Sequence, residues 1–300
     1  MQRRTDRLQE VLRQKADAFF SLEGAVLAGD DPEAIHDMRV ASRRLQEVLR
    51  LVFTEGPAFV RMIRAVRRAR RAQSTVRDLD VMAERLGKMA RGARGDARAA
   101  LQWILKMLTD RRARRHRKLT DAVRALDLAG LRRTLDGRMS RLSHTRAGED
   151  ALAEVTLRAR AQVSGRAEAF AKAVAEARVS ARPDDLHAAR VAGKRLRYLL
   201  EICDEFRVGG FKKRIAQMRA IQQALGRWHD LEVLGETVTG LFADRETFRQ
   251  RLPLVRAACG LIAGWRAEQA AHLREFLRLT EAVETTPGGK VVGSSRRARI

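Results

Sequence analysis

The chain has 300 residues, with 61 Lys and Arg against 37 Asp and Glu, which gives a formal net charge of +24 at pH 7. This excess of like charge repels itself in a compact fold unless anions screen it, so a polyanion is the expected partner. No stretch reaches the roughly 20 apolar residues that span a bilayer, and the N-terminus lacks the apolar segment of a signal peptide. We therefore expect a cytoplasmic protein without a membrane partner.

Helix-forming residues dominate nearly every window and the whole chain has five prolines, which predicts an all-α fold. Asp30-Asp31-Pro32 and Arg182-Pro183-Asp184 each combine a capping residue with an early-turn proline, so a helix is expected to begin at each. Gly56-Pro57 and Gly209-Gly210 predict breaks after these helices. The two cysteines, Cys203 and Cys259, lie in apolar patterns without metal-ligand spacing and are predicted to be core residues.

Two segments of the chain match each other without gaps. The segment IHDMRVASRRLQEVLRLV from Ile35 matches LHAARVAGKRLRYLLEIC from Leu186, which places His36 and His187 in equivalent positions. Further on, FVRMIRAVRRARRAQSTVRDLDV from Phe59 matches FKKRIAQMRAIQQALGRWHDLEV from Phe211. LTDAV and LTEAV give a third, weaker echo in the same order. The order indicates a tandem duplication.

We predict two helical bundles of about four long helices each, one over residues 1–145 and one over residues 146–286. The remaining residues, 287–300, are basic and poor in hydrophobic side chains, so they are predicted to be a disordered tail.

Residues three, four and seven apart share one helix face, so His36, Arg39 and Arg43 form a basic stripe beside an apolar seam. The second copy has the same stripe at His187, Arg190 and Lys194. A stripe of this kind is ordinarily a solvated face. Its retention in both copies favours a binding role, since positions interpreted as surface, such as the pair Glu47 and Tyr198, differ between the copies.

Basic residues continue along the helix that follows each stripe, and Asp78 or Asp230 ends that helix in a repeated Asp-Leu-acidic-Val pattern. These two aspartates are predicted to orient neighbouring arginines, with catalytic carboxylates as the alternative.

The pattern H-x-x-R-V-x-x-[RK]-R-L at His36–Leu45 and again at His187–Leu196 resembles that of the conserved histidine α-helical domain (CHAD) family. The resemblance implies two pseudo-symmetric four-helix bundles around a basic central cavity, binding of inorganic polyphosphate, and association with polyphosphate granules. It assigns to the cavity His36, Arg39, Arg43, Arg44, His187, Arg190, Lys194 and Arg195. The E-x-E-x-K pattern of the CYTH triphosphatase domains fused to many relatives does not occur in this sequence.

The basic stripes, the helices that follow them and the family resemblance together predict one set of polyphosphate-binding residues, with Asp78 and Asp230 as supporting residues. The set is His36, Arg39, Arg43, Arg44, Arg50, Arg64, Arg67, Arg71, His187, Arg190, Lys194, Arg195, Arg197, Lys213 and Arg219.

Polyphosphate binding without catalysis, metal or cofactor is the leading functional hypothesis, in a monomer or a dimer. A nonspecific nucleic-acid-binding protein is the alternative, although aromatic residues make up only 5% of the chain and form no stacking platform. A metal-dependent phosphohydrolase using His229, Asp230 and the paired His36 and His187 is a third hypothesis.

Overall fold

The computed structural model describes residues 2–53, 55–142, 147–243 and 245–283. These residues form α-helices and one short 3-10 turn with no β-strand among them, which confirms the all-α prediction. The helices are α1 (Gln2–Phe20), α2 (Glu23–Ala28), α3 (Pro32–Val52), α4 (Pro57–Gly92), α5 (Gly95–Arg124), α6 (Leu128–Leu142), α7 (Ala147–Ser180), α8 (Pro183–Glu205), α9 (Lys212–Leu241), α10 (Arg245–Gln250) and α11 (Leu252–Thr280).

The two helices that carry the basic stripes, α3 and α8, begin where the sequence predicts. The side chain of Asp31 accepts a hydrogen bond of 2.8 Å from the backbone N–H of Glu33, which satisfies one of the free donors of the first turn. Proline is the first residue of both helices, where its missing N–H costs nothing. Arg182 precedes α8 without a side-chain cap, so in that copy the proline alone marks the start.

Within the described ranges, each repeat supplies four long helices, and each of these packs on its counterpart from the other repeat. The counterpart pairs are α1 with α7, α3 with α8, α4 with α9, and α5 with α11. This arrangement is that of a pseudo-two-fold axis running between the repeats. The basic stripes of α3 and α8 therefore meet near the axis.

In the part of the chain that the structure describes, two hydrophobic cores lie along the long helices, and both contain residues from both repeats. One core includes Val76 of α4 and Trp228 of α9, whereas the other begins at Leu79 and Leu231 on the same two helices. The residues between these points are polar, and they include Asp78 and Asp230. The charged end of each repeated helix motif thus lies in a polar layer between the two cores.

The predicted division at residue 145 stays a prediction. The tail at 287–300 lies outside the described residues.

Burial confirms the apolar seams of α3 and α8 and corrects two other sequence predictions. Glu47 and Tyr198, interpreted as surface positions, are each only 6% exposed, because they face the junction between the repeats. Cys203 is buried as predicted, and burial raises the pKa of its thiol to about 12. Cys259 is exposed on α11 and is not a core residue. Over the described residues, no helix is both long and apolar enough to cross a membrane.

Candidate anion-binding site

Four cations from the two basic stripes converge where α3 and α8 meet, and we call them the central cluster: Arg39, Arg43, Arg190 and Lys194. Burial, and then the positive charges of Arg43 and Arg190, lower the pKa of Arg39 despite the nearby Asp78. Burial and the same neighbouring guanidinium groups lower the pKa of Lys194 to about 6. Two helices whose equivalent residues are 151 positions apart in the chain therefore bring their basic side chains close together.

Asp78 and Asp230 lie beside the central cluster, one on α4 and one on α9. Burial raises the pKa of each carboxyl group, while the charges of Arg190 and Lys194 act on both in the opposite direction. Even with Lys194 neutral above about pH 6, the two carboxylates cannot neutralise the three guanidinium groups of the central cluster. Arg39 Nη1 and Arg190 Nε are also buried without a hydrogen-bond partner in the described structure. Buried donors of this kind are suited to an anion that supplies the missing acceptors.

The histidines flank the central cluster and are neutral near physiological pH. Burial, followed by the charge of Arg77, lowers the pKa of His36. His187 lies with its ring centroid 5.2 Å from that of His229, and burial lowers the pKa of His229 to about 4. His229 occupies the position that Arg77 holds in the first repeat. These imidazoles can donate a hydrogen bond to a phosphate oxygen without being charged.

A cavity of about 690 Å³ opens beside the central cluster, between α3, α4, α7 and α8, and we call it the first-repeat pocket. Its cationic lining consists of Arg43, Arg50, Arg67, Arg70, Arg71, Arg166 and Arg195. Glu47 is the acidic residue in the lining, and its carboxylate forms an ion pair of 2.7 Å with Arg166. Burial and the charges of Arg43 and Arg50 lower the pKa of Arg70 to about 10. Cations therefore outnumber acids strongly in this pocket.

Three other predicted binding residues converge on a carboxylate of the protein itself. Glu201, 7% exposed, accepts from Arg197 at 2.7 Å and from Arg219 at 3.1 Å. Arg44 adds an ion pair at 3.5 Å. The guanidinium groups on this side of the molecule are thus already partnered by an anion.

Arg64 and Lys213 are exposed on α4 and α9, and neither lines the first-repeat pocket. Their inclusion in the binding set stays a prediction.

Sequence reasoning left Arg70 and Arg166 out of the binding set. Arg70 lies three residues after Arg67 on α4, so helical spacing alone would have placed it on the same face. Arg166 is on α7, outside both repeated motifs, and reaches the pocket only through tertiary packing. No local signal in the sequence indicates that contact.

Of the residues in the phosphohydrolase hypothesis, His187 and His229 lie close together, with ring centroids 5.2 Å apart. Over the described ranges, no group of three or more His, Cys, Asp or Glu side chains is placed to hold a metal ion.

A family model described as the CHAD domain matches residues 10–239. The chain belongs to the CHAD domain family. The structure of the CHAD domain from the plant Ricinus communis is similar, with a TM-score of 0.66 at 21% identity over 94% of this chain and 92% of that one. PptA from Streptomyces chartreusis has a TM-score of 0.60 at 18% identity, covering 92% of this chain and 98% of that one.

No curated protein sequence matches the chain. At these identities the structural likenesses concern the fold, so the ligand of this CHAD domain has to be argued from its own residues.

Proposed function

We propose that this CHAD domain binds inorganic polyphosphate through the central cluster and the adjoining first-repeat pocket. The observation that carries the proposal is the convergence of Arg39, Arg43, Arg190 and Lys194 from both repeats on one partly buried site. A linear polyanion has a negative charge on every phosphate, and it would satisfy several of these donors at once.

Nucleic acid is the competing ligand, and the disposition of aromatic side chains argues against it. Single-stranded nucleic acids are held by aromatic rings on which bases stack. Trp228 and Trp265 are buried, and Trp103 is stacked on Phe242. The guanidinium groups of Arg43 and Arg197 lie over the ring of Tyr198, so none of these rings offers an open face to a base. A ligand that consists of phosphate alone fits a site built from guanidinium groups.

The proposal is tested by the binding of end-labelled long-chain polyphosphate, measured by fluorescence anisotropy at several salt concentrations. Binding should weaken steeply with salt, by roughly 0.7 to 0.9 log units per contact per decade if counterion release resembles that of nucleic acids. An affinity that barely changes with salt would contradict a site built on phosphate contacts, and displacement by duplex DNA at equal phosphate concentration would favour nucleic acid.

The site is tested with the double substitution Arg39→Gln and Arg190→Gln. Each lost charge-assisted hydrogen bond costs about 1.5 to 3 kcal/mol, so the affinity should fall at least about 100-fold. Arg256→Gln with Arg266→Gln removes the same charge from exposed positions on α11 and should have little effect. Equal losses in the two double variants would show that net charge, rather than the central cluster, determines binding.

We further propose that the protein acts as a binding module without phosphatase activity and associates with cytoplasmic polyphosphate granules. Incubation with polyphosphate and divalent cations tests the first point, since orthophosphate release that disappears in Asp230→Ala would make the protein an enzyme. Co-sedimentation of the protein with granules, lost in the Arg39→Gln and Arg190→Gln variant, tests the second.

A further inference from the structure

The two repeats carry different residues at the positions that form the first-repeat pocket. Arg50 in α3 corresponds to Glu201 in α8, so a cation in one repeat is replaced by a carboxylate in the other. Arg70 and Arg71 in α4 correspond to the uncharged Gln222 and Gln223 in α9. The duplicated backbone therefore presents two electrostatically different surfaces.

On the first-repeat side, the protein leaves most of its cations without a carboxylate. Glu47 is engaged by Arg166, and Arg50 lies 3.8 Å from its other oxygen. Among the described residues, Arg67 and Arg71 form no ion pair. Like charges this close repel each other, so a bound anion would relieve a repulsion that already exists in the free protein.

On the second-repeat side, the carboxylate of Glu201 lies among Arg44, Arg197 and Arg219. A buried carboxylate with several charge-assisted hydrogen bonds satisfies the guanidinium groups as a phosphate would. An incoming phosphate would have to displace the carboxylate of Glu201, which is part of the protein itself. Arg44, Arg197 and Arg219 therefore have little capacity left to bind an added anion.

We propose that the first-repeat pocket is a seat for a compact oligophosphate, such as the terminal phosphates of a polyphosphate chain, and that Glu201 closes the equivalent seat in the second repeat. The inference rests on the proposed polyphosphate binding and refines it. A cavity of about 690 Å³ is within the usual size of small-ligand sites, about 300–1,000 Å³. A terminal phosphate has a second ionisation near pH 6 and carries more charge than an internal one, which matches a pocket lined by seven arginines.

The seat is tested with tripolyphosphate, titrated into the full chain by isothermal calorimetry. The wild type should bind one tripolyphosphate. Arg50→Glu puts into the first repeat the charge that closes the second, and it should lower the affinity at least tenfold. The matched control is Arg256→Glu, an equal charge reversal at an exposed position of α11. Equal affinities for Arg50→Glu and the control would overturn the assignment of the pocket.

The role of Glu201 is tested by Glu201→Gln, which keeps the shape of the side chain and removes its charge. Arg44, Arg197 and Arg219 should then accept a second tripolyphosphate, and the stoichiometry should rise from one to two. A wild type that already binds two, or a folded variant that still binds one, would contradict closure by Glu201. Thermal unfolding followed by circular dichroism shows whether the variant is folded; if it is not, the Arg50→Glu result alone decides the proposal.

Long-chain polyphosphate, measured in parallel, separates this inference from the proposed function. If the long chain does not bind the wild type, the proposed function itself is wrong. If the long chain binds but tripolyphosphate does not, the proposed function holds and the inference of a seat in the first-repeat pocket is wrong. The same conclusion follows if Arg50→Glu leaves the affinity for tripolyphosphate unchanged.

Discussion

The two repeats preserve one contact while exchanging the residues that make it. In the first repeat, Arg70 Nη1 donates to Gln46 Oε1 at 2.7 Å. In the second, Arg197 Nε donates to Gln222 Oε1, also at 2.7 Å. The equivalent pairs are Gln46 with Arg197 and Arg70 with Gln222, so the glutamine and the arginine have changed helices. The duplicated geometry has been kept and the placement of charge has diverged.

This comparison indicates that backbone symmetry does not imply symmetric binding. In the second repeat the arginine of this contact is on α8 and lies beside Glu201. Glu201 accepts a hydrogen bond of 2.7 Å from Nη1 of this arginine, Arg197. Arg70, by contrast, lies among other cations. The same hydrogen bond thus orients a neutralised arginine in one repeat and a repelled one in the other.

The largest expected difference between the repeats is in stability. Glu201→Leu leaves Arg197 and its neighbours without their buried anion, and we expect a loss of about 3 kcal/mol, as when one partner of a buried ion pair is removed. Arg50→Leu, at the equivalent position, should change stability by less than about 1 kcal/mol, because Arg50 is partly exposed and its ion pair with Glu47 is long, at 3.8 Å. Urea unfolding followed by circular dichroism measures both. Equal losses would show that the two positions are electrostatically alike.

A smaller difference should appear in the pH dependence of binding. Lys194 occupies the position equivalent to Arg43, and burial among the arginines lowers its pKa to about 6 in the free protein. A bound phosphate raises this pKa, so binding takes up a proton. The affinity should then fall as the pH rises above about 6, by up to about tenfold per unit for one proton, and this contribution should be constant below about pH 6.

The charged and titratable groups around Lys194 come from several helices. They are His187 and Arg190 on α8, Arg39 and Arg43 on α3, Asp78 on α4, and His229 and Asp230 on α9. The lowered pKa values of the histidines place their titration on the acidic side. Lys194→Arg should therefore remove the pH dependence between about pH 7 and 8 while retaining the charge. A dependence that persists in this variant would assign the proton to another group.

The exchanged hydrogen bond should have an effect of about 1 kcal/mol. Gln46→Ala and Arg70→Ala each remove it, and a double-mutant cycle of unfolding free energies should give a coupling of about 0.5 to 1.5 kcal/mol. The combined exchange Gln46→Arg and Arg70→Gln installs the arrangement of the second repeat and should recover most of that coupling. A coupling near zero would mean that the shared geometry is incidental.

The smallest effect is expected at Arg64 and Lys213. Both are exposed and outside the pocket lining, so Arg64→Gln or Lys213→Gln should lower polyphosphate affinity by less than about 1 kcal/mol. The salt dependence of binding should also stay unchanged. A drop in its slope by roughly 0.7 to 0.9 would show that the substituted residue contacts a phosphate.

The sequence was sufficient to predict the helices and the central stripes. Helix starts at Pro32 and Pro183 follow from local rules, and the apolar seams of α3 and α8 follow from helical periodicity. The repeat then indicated which residues are equivalent. These signals are all local or internal to the motif, so they place residues on a helix face without the neighbouring helices.

Contacts between distant segments could not be predicted in this way. Arg166 contacts Glu47 across more than a hundred residues, and that contact is one reason why Glu47 is buried in spite of its charge. Glu201 reads in the sequence as an ordinary helical partner of Arg197, four residues away. Its role as the common acceptor of arginines from three helices depends on how α3, α8 and α9 pack.

Tyr198 gives the protein a built-in reporter. It is the only tyrosine in the chain, and its ring lies 4.4 Å from the guanidinium carbon of Arg197 and 5.7 Å from that of Arg43. Incorporation of fluorotyrosine would therefore yield one fluorine NMR resonance, from a ring flanked by guanidinium groups of both repeats. Its chemical shift would follow ligand entry from the first-repeat side without a label on the ligand.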